Sequence, residues 1–343
     1  MAGKVFIHIG TSKTGTTSIQ RAMVNARGWL RRTYSVNYPW TPTNHMILAL
    51  PFLDGQQFQP VENHRLRGYA TPKELNAAAA RLMADLRRDA GRLSTHVLSA
   101  EQLQPLGADS LGRMKRFFDD IELPVTIIVY VRHPAERASS LICQRVRSGR
   151  YSLGMTVGED DVLPALKTYV GVFGKENVIV RPFDRSQWQN GRLIDDFTAT
   201  FHGTPIPGMD DLRNNESLSL PAVLIADKLF DVAPLPSGRR GPEEWLHRIT
   251  GPKFMAPRSM VEQAVEAGRE CLEYIDREFG IHLPDVDLSQ FPEKLSYEFS
   301  GETLLSLASV VNEQVLGLSL RSRPKHIWRP KLINRLKRRF AFA

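Results

Sequence analysis

The chain has 343 residues, 42% of them hydrophobic and 24% charged, proportions ordinary for a globular protein. Two distant cysteines, Cys143 and Cys271, with no Cys/His cluster suggest neither a disulfide framework nor a zinc site and fit a reducing compartment. The formal net charge of +8 is local, because residues 321–343 carry nine Lys and Arg and no acid while the preceding 320 residues hold 36 basic and 37 acidic side chains. No run of 18 apolar residues predicts a membrane-spanning helix. The opening MAGKVFIHIG lacks the long apolar stretch of a secretory signal, so the expectation is a cytoplasmic protein, bacterial in style.

Taken in order, residues 5–9 form a short apolar run. Residues 10–18 are rich in Gly and Thr, and Ile19, Met23, Ala26 and Leu30 then recur at helical spacing. The pattern predicts strand, tight loop and helix. Residues 35–38 suggest a second short strand, and residues 39–70 a long functional loop or lid with short helices. Thr71, Pro72 and Glu74 mark the capped start of a helix running to about Gly91. A strand is expected at 96–99 and a helix at 111–118. The run VTIIVYV at 125–131 is β-branched and apolar throughout, as a central parallel strand requires. A helix over 135–147, a strand over 177–181 and a helix over 193–201 follow.

Strands alternating with helices over 4–203 predict an α/β fold. It is a three-layer sandwich with a central parallel sheet of about four to five strands. From about 217 the pattern turns helical, at 219–232, 259–279 and 301–318. The expected organisation is one domain over 1–320, with an α/β core at 1–210 and a helical portion at 211–320. A basic amphipathic tail follows at 321–343.

The loop reads Gly10-Thr11-Ser12-Lys13-Thr14-Gly15-Thr16-Thr17-Ser18. Between a strand and a helix, such a segment turns successive backbone N–H groups toward an anion. Its glycines allow close approach, its hydroxyls donate, and Lys13 adds a point charge. Gly10 and Gly15 have the separation of a Walker A loop, GxxxxGK[ST]. The next two residues are Thr16 and Thr17, where that loop needs Lys and then Ser or Thr, and the 125–131 strand ends in Arg132-His133 rather than an acid. The lysine and the magnesium-holding hydroxyl of a P-loop kinase are therefore misplaced.

The segment HIGTSKTGTTSIQ strongly resembles the phosphosulfate loop of the sulfotransferase family, whose bacterial members often read HIGxxKTGTTSIQ. The resemblance implies a P-loop-like fold and binding of PAPS (3′-phosphoadenosine-5′-phosphosulfate), its 5′-phosphosulfate held by residues 11–18. Arg132, at the end of the 125–131 strand, and Ser140, eight residues on, are similar to the family's 3′-phosphate motif. An Arg fork with a hydroxyl is a good dianion receptor, and a strand end is where such sheets bind ligands. Arg137, Arg145 and Arg147 read as surface charges, with Arg137 within reach of phosphate. VIVRPFD at 178–184 is similar to a family strand ending in an aromatic–acid pair, which makes Phe183 either an adenine neighbour or a core aromatic. The NNESLS segment at 214–219 also looks like the family's, with helix capping by Ser217 or Ser219 as its plain reading. Arg239-Arg240-Gly241 is the nearest match to a phosphate-clamping RKGxxG loop, but lacks the second glycine.

Sulfonyl transfer needs an in-line acceptor, a charge beside the leaving oxygen and a base, and needs no metal. Lys13 suits the leaving group. Two residues compete as the base for an acceptor hydroxyl or amine. Glu101 follows the 96–99 strand, where bacterial relatives often show Ser-Ser-Glu, and burial there would raise its pKa. His45 lies in the 39–70 loop, and imidazole is a natural base near neutral pH. His8 reads as a packed core histidine. The expected function is a PAPS-dependent sulfotransferase releasing PAP (adenosine 3′,5′-bisphosphate), its acceptor a glycan, a lipid-linked group or a small molecule. The alternatives are a P-loop kinase and a non-catalytic homologue that binds nucleotide or membrane. The tail suits peripheral contact with an anionic membrane better than nucleic acid, since the body is not basic.

Overall fold

The computed structural model describes residues 3–40, 44–53, 71–149, 152–153, 155, 162–211, 217–232 and 243–322. Its centre is a five-stranded sheet built from β1 (Lys4–Ile9), β2 (Val36–Asn37), β3 (Thr95–Ala100), β4 (Val125–Val131) and β5 (Val178–Pro182). The spatial order is β2-β3-β1-β4-β5, with every pairing parallel. The four to five parallel strands expected from the alternation are thus present as five.

Ten helices complete the described chain. They are α1 (Thr16–Tyr34), α2 (Pro72–Asp89), α3 (Ala108–Asp120), α4 (Pro134–Arg147), α5 (Val162–Phe173), α6 (Leu193–His202), α7 (Leu220–Val232), α8 (Glu243–Leu246), α9 (Arg258–Phe279) and α10 (Gly301–Ser322). The twofold alternation of strand side chains divides them into layers. Val5, Ile7 and Ile9 of β1 enter one core with α2, α3, α5, the Met46–Phe52 3₁₀ segment and the later part of α9. Phe6 enters the opposite core with α1 and α6. That second face is pinned by charge as well as packing. Buried Asp196 of α6 accepts from Tyr130 Oη of β4 at 2.7 Å and from Arg181 Nε of β5 at 3.1 Å.

Several local expectations are met in detail. Thr71 and Glu74 form a reciprocal capping box with Pro72 in the first turn of α2. Ser219 Oγ accepts from the Ala222 N–H and caps α7. Others are corrected. The short strand at 35–38 shrinks to Val36–Asn37. Residues 46–52 of the supposed lid bury Met46, Ile47, Leu48, Ala49 and Phe52 as a 3₁₀ segment in the sheet core, while 41–43 and 54–70 lie outside the described residues. Helix α5 went unread, its VLPALKTYVGVF sequence carrying both a proline and a glycine.

The helical portion packs through α4. Ala135, Ala138, Ile142 and Val146 meet Ala222, Val223 and Ala226 of α7, Leu246, Phe254, and Met260 and Val261 of α9 in a core of their own. Helix α9 joins both cores, because Cys271 and Ile275 pack on the sheet side. Its Gly268 faces Pro134 so closely that a Cβ there would lie 2.4 Å from the proline Cγ. Among the described residues, no helix is long and apolar enough to cross a membrane.

Candidate functional site

The strand order reverses at β1, whose neighbours β3 and β4 are reached by the chain in opposite directions. In open parallel sheets, ligands bind outside the carboxyl ends of strands at such a switch point. Four successive strand ends each deliver a candidate residue to one cleft there. The 10–18 loop follows β1, Glu101 follows β3, Arg132 follows β4 and Phe183 follows β5. The cleft has a volume of about 520 Å³, within the range of small-molecule sites.

The loop is shaped by two left-handed residues, Lys13 at φ 66° and Gly15 at φ 71°. For lysine this conformation costs roughly 1–2 kcal/mol, so the surrounding structure must hold it. A substitute at Gly15 would be strained, since its φ favours glycine and a Cβ would lie 2.4 Å from Leu193 Cδ2 and 3.0 Å from Phe183 Cε2. Gly10 is also tight, with a Cβ falling 2.5 Å from Thr16 Cγ2 and 2.9 Å from Glu101 Cγ. The Thr11 hydroxyl donates to the Tyr130 carbonyl at 2.5 Å, and that of Thr14 donates to the Thr11 carbonyl at 2.8 Å. Helix α1 then starts with no side-chain cap, leaving first-turn N–H groups directed at the cleft.

Ser12, Lys13, Gly15, Thr16, Thr17, Ser18, Glu101, Arg132, Ser140 and Phe183 all line this cleft. Ser12 Oγ is buried with no hydrogen-bond partner among the described residues. A buried hydroxyl without a partner is costly, and a ligand oxygen at the loop would satisfy it. Arg132 ties the second motif to the first. Its Nη1 donates to the Lys13 carbonyl at 3.4 Å, its Nε pairs with Glu136 at 3.3 Å, and its guanidinium carbon stands 5.4 Å from the Phe183 ring centroid.

Three placements differ from expectation. Thr11 and Thr14 lie behind the loop, where their hydroxyls brace its turn instead of facing the cleft. Glu101 is exposed at the mouth, so the burial expected around it is absent. His45 is not at the cleft at all. Its ring is fully buried, Nδ1 accepts from the Ser99 N–H at 3.0 Å, and Nε2 donates to the Pro39 carbonyl at 3.2 Å. Burial pushes its pKa down to about 4. The cause is the apolar MILALPF segment immediately after it, which enters the core and carries the imidazole along. His8 is core as expected, bonded through Nδ1 to Ser99 Oγ at 2.9 Å, and burial lowers its pKa to about 3.

The cleft also contains residues that the motifs did not single out. Gln144 and Arg147 follow Ser140 at helical spacing on α4, so Arg147 is a cleft residue rather than a surface charge; the i, i+4, i+7 pattern could have found both. Trp188, Arg185 and Asp211 come from segments outside the strands and α-helices, with no motif. Trp188 packs edge-on against Phe183 with ring centroids 5.0 Å apart and donates its indole N–H to the Pro182 carbonyl at 3.0 Å. Ser217 lines the cleft beyond α6, while Asn214, Asn215, Glu216, the Arg239–Arg240–Gly241 match and the tail from 323 lie outside the described residues.

No protein-family model matches the chain, and no curated protein matches it. Among solved structures, a sulfotransferase from Alicyclobacillus acidocaldarius is similar over 61% of this chain and 87% of its own, with 22% sequence identity and a TM-score of 0.37.

Proposed function

We propose that the chain is a PAPS-dependent sulfotransferase, moving the sulfonate of PAPS to a hydroxyl or amine of an acceptor and releasing PAP. One observation carries the reading. A loop with its lysine inside it, at Lys13, is bonded through that residue's carbonyl to Arg132, and Ser140 lines the same cleft. The first half suits a phosphosulfate and the second a further phosphate that ATP lacks. The orphaned Ser12 hydroxyl suits an anion lying on the loop.

In this scheme the loop N–H groups and hydroxyls of Ser12, Thr16, Thr17 and Ser18 hold the 5′-phosphosulfate. Arg132 and Ser140 hold the 3′-phosphate, and Phe183 with Trp188 flanks the purine. The acceptor oxygen attacks sulfur as the bond from sulfur to the bridging phosphate oxygen breaks. Glu101, at the mouth where an acceptor enters, takes the acceptor proton. The electron pair of the broken bond stays on the leaving PAP, where the Lys13 ammonium stabilises it. Within this scheme His45 is a structural residue, since both of its nitrogens are engaged in the core.

The test combines binding and transfer. PAP should raise the thermal midpoint and ATP with magnesium should not. Radiolabelled sulfonate from ³⁵S-PAPS should appear on an acceptor drawn from glycans, lipids or small metabolites. Lys13→Ala should cut transfer by about 10²–10³-fold, the usual loss when one charge-stabilising donor is removed, while the protein stays folded. Undiminished turnover in that variant sinks the mechanism. Stabilisation by ATP with magnesium alone would favour a kinase, and stabilisation by PAP without transfer to any acceptor would leave a binding protein.

A further inference from the structure

Helix α4 turns one face to the cleft. Ser140, Gln144 and Arg147 lie on it at i, i+4 and i+7, and all three line the cleft together with Arg132. Arg132 and Ser140 already have places in the sulfonyl-transfer scheme, and Arg147 has none. Arg147 Nη1 donates to His247 Nε2 at 3.2 Å, which holds the guanidinium between α4 and the chain that follows α8.

The charge of Arg132 is largely compensated where it stands. Its Nε pairs with Glu136 at 3.3 Å, and its Nη1 donates to the Lys13 carbonyl at 3.4 Å. A phosphate on a ribose carries about −1.5 to −2 charges at pH 7. One guanidinium that faces a carboxylate does not balance that, and the Ser140 hydroxyl adds a hydrogen bond but no charge. A receptor for a dianion here therefore requires a second cation. Lys13, Arg132, Arg147 and Arg185 are the Lys and Arg side chains lining the cleft. Lys13 belongs to the loop. Arg185 follows β5 near Phe183 and Trp188, and its Nε donates to the Gly191 carbonyl at 3.2 Å. Arg147 shares the helix face of Ser140.

Seven residues of helix separate the Ser140 and Arg147 backbones by about 10 Å. Helical side chains lean toward the N-terminus, so the long Arg147 stem runs back along the face toward Ser140. Burial raises the pKa of the Cys143 thiol on the same helix, and the charges of Lys13 and Arg147 both oppose that rise. The two cations thus stand close enough to act on one group. An anionic acceptor is a poorer match for Arg147. Glu101 follows β3, on the far side of β1 from β4 and α4, so the acceptor mouth and the α4 face lie on opposite flanks of the loop.

We infer that Arg147 is a specificity-determining residue of the donor site, the second cation of a receptor for a ribose-borne phosphate dianion formed with Arg132 and Ser140. The inference rests on the PAPS reading and adds a source of selectivity to it. Nucleotides that lack the 3′-phosphate gain nothing from Arg147.

The experiment is calorimetric titration of the full chain with PAP and with adenosine 5′-monophosphate, which differ only in the 3′-phosphate. The unsubstituted chain should prefer PAP. Arg147→Gln keeps a polar side chain and removes the charge. It should weaken PAP binding by about 10–100-fold, the loss expected for a charge-assisted hydrogen bond, and leave adenosine 5′-monophosphate within about twofold. Arg147→Lys keeps the charge without the planar fork, so its PAP-specific loss should be smaller, about threefold to tenfold. Should Arg147→Gln fail to fold, that smaller loss in Arg147→Lys decides. Equal losses for both ligands in folded variants would give Arg147 a structural role and overturn the inference. Variants that retain the full preference for PAP would also overturn it, with the PAPS reading left standing. Equal affinity of the unsubstituted chain for the two ligands would overturn both.

Discussion

The sheet half and the helical half of this protein build their working surfaces by opposite rules. In the sheet half, the candidate site sits on the ends of rigid elements. The loop after β1, Glu101 after β3, Arg132 after β4 and Phe183 after β5 converge because parallel strands end together. In the helical half, the described residues bring Ser217 to the cleft, and the main contribution is indirect, through the packing of α7 and α9 on α4. The first half presents the candidate residues, and the second holds one wall of their cleft in place. Substitutions at the strand ends should therefore fail in rate, and those that support them, at the α4–α7–α9 contacts or under the second core, in stability.

The largest expected effect tests the first rule. Glu101→Gln keeps the shape of an exposed strand-end residue and removes its basicity. Turnover from saturating PAPS should fall by about 10²–10⁴-fold, the range for loss of a general base, with PAP affinity nearly unchanged. A loss of PAP affinity with turnover intact would place Glu101 in donor binding and break the division between donor and acceptor sides.

Next in size is Asp196→Ala, which leaves the sheet half without its buried anchor. Tyr130 Oη and Arg181 lose their shared acceptor under the second core. Removing one partner of such a pair costs about 3–5 kcal/mol, and the partial exposure of Arg181 places the expectation near the lower end. Urea denaturation measures it. A cost under about 1 kcal/mol would mean that α6 is held by apolar contacts alone.

Smaller again is Gly268→Ala, which probes how firmly the helical half sets the wall. The new methyl would lie 2.4 Å from Pro134, so α9 and α4 must separate slightly. Overpacking of this kind costs about 1–3 kcal/mol, and because α4 carries Ser140, Gln144 and Arg147, PAP affinity should fall with it. Full PAP affinity despite lost stability would show that the two halves are uncoupled at the cleft.

The same contrast governs what could be read before folding. The strand–loop–helix at residues 4–34, the VTIIVYV strand and the capping box of α2 were legible because each is a local pattern that one element satisfies by itself. His45 was misread because its burial is decided by the MILALPF segment after it, and a histidine among Pro, Thr and Asn looks exposed until that segment is packed. Helix α5 was missed because Pro164 and Gly171 read as breakers, although Leu163, Leu166, Tyr169 and Phe173 hold a helical period along its buried face. Trp188 and Arg185 reach the cleft through two consecutive 3₁₀ turns, one containing Asn190 at φ 54°, a path no motif encodes. Thr11 and Thr14 were legible as loop residues, but only the closed turn shows their hydroxyls pointing inward.

The smallest effect follows from the histidines of the sheet half. His8 and His45 are fully buried, with pKa values lowered to about 3 and about 4. Their unfolded forms titrate near the ordinary value of about 6.5. Between the folded and unfolded pKa values, the unfolded chain binds protons that the folded chain refuses, so stability rises with pH across that window. Above the unfolded value both states are neutral and the effect vanishes. As pH falls below it, stability is lost progressively, and the loss levels off only near the folded values. At pH 6 each histidine should cost about 1 kcal/mol relative to pH 8, from the proton-binding difference alone. Urea midpoints between pH 8 and 5.5 measure the slope above the range of ordinary carboxylates. His8→Asn and His45→Gln should each flatten it, whatever their cost at pH 8. An unchanged slope in both variants would mean that the acid sensitivity arises elsewhere, buried His96 of β3 being the next candidate because burial lowers its pKa too, and would remove these two imidazoles from the account.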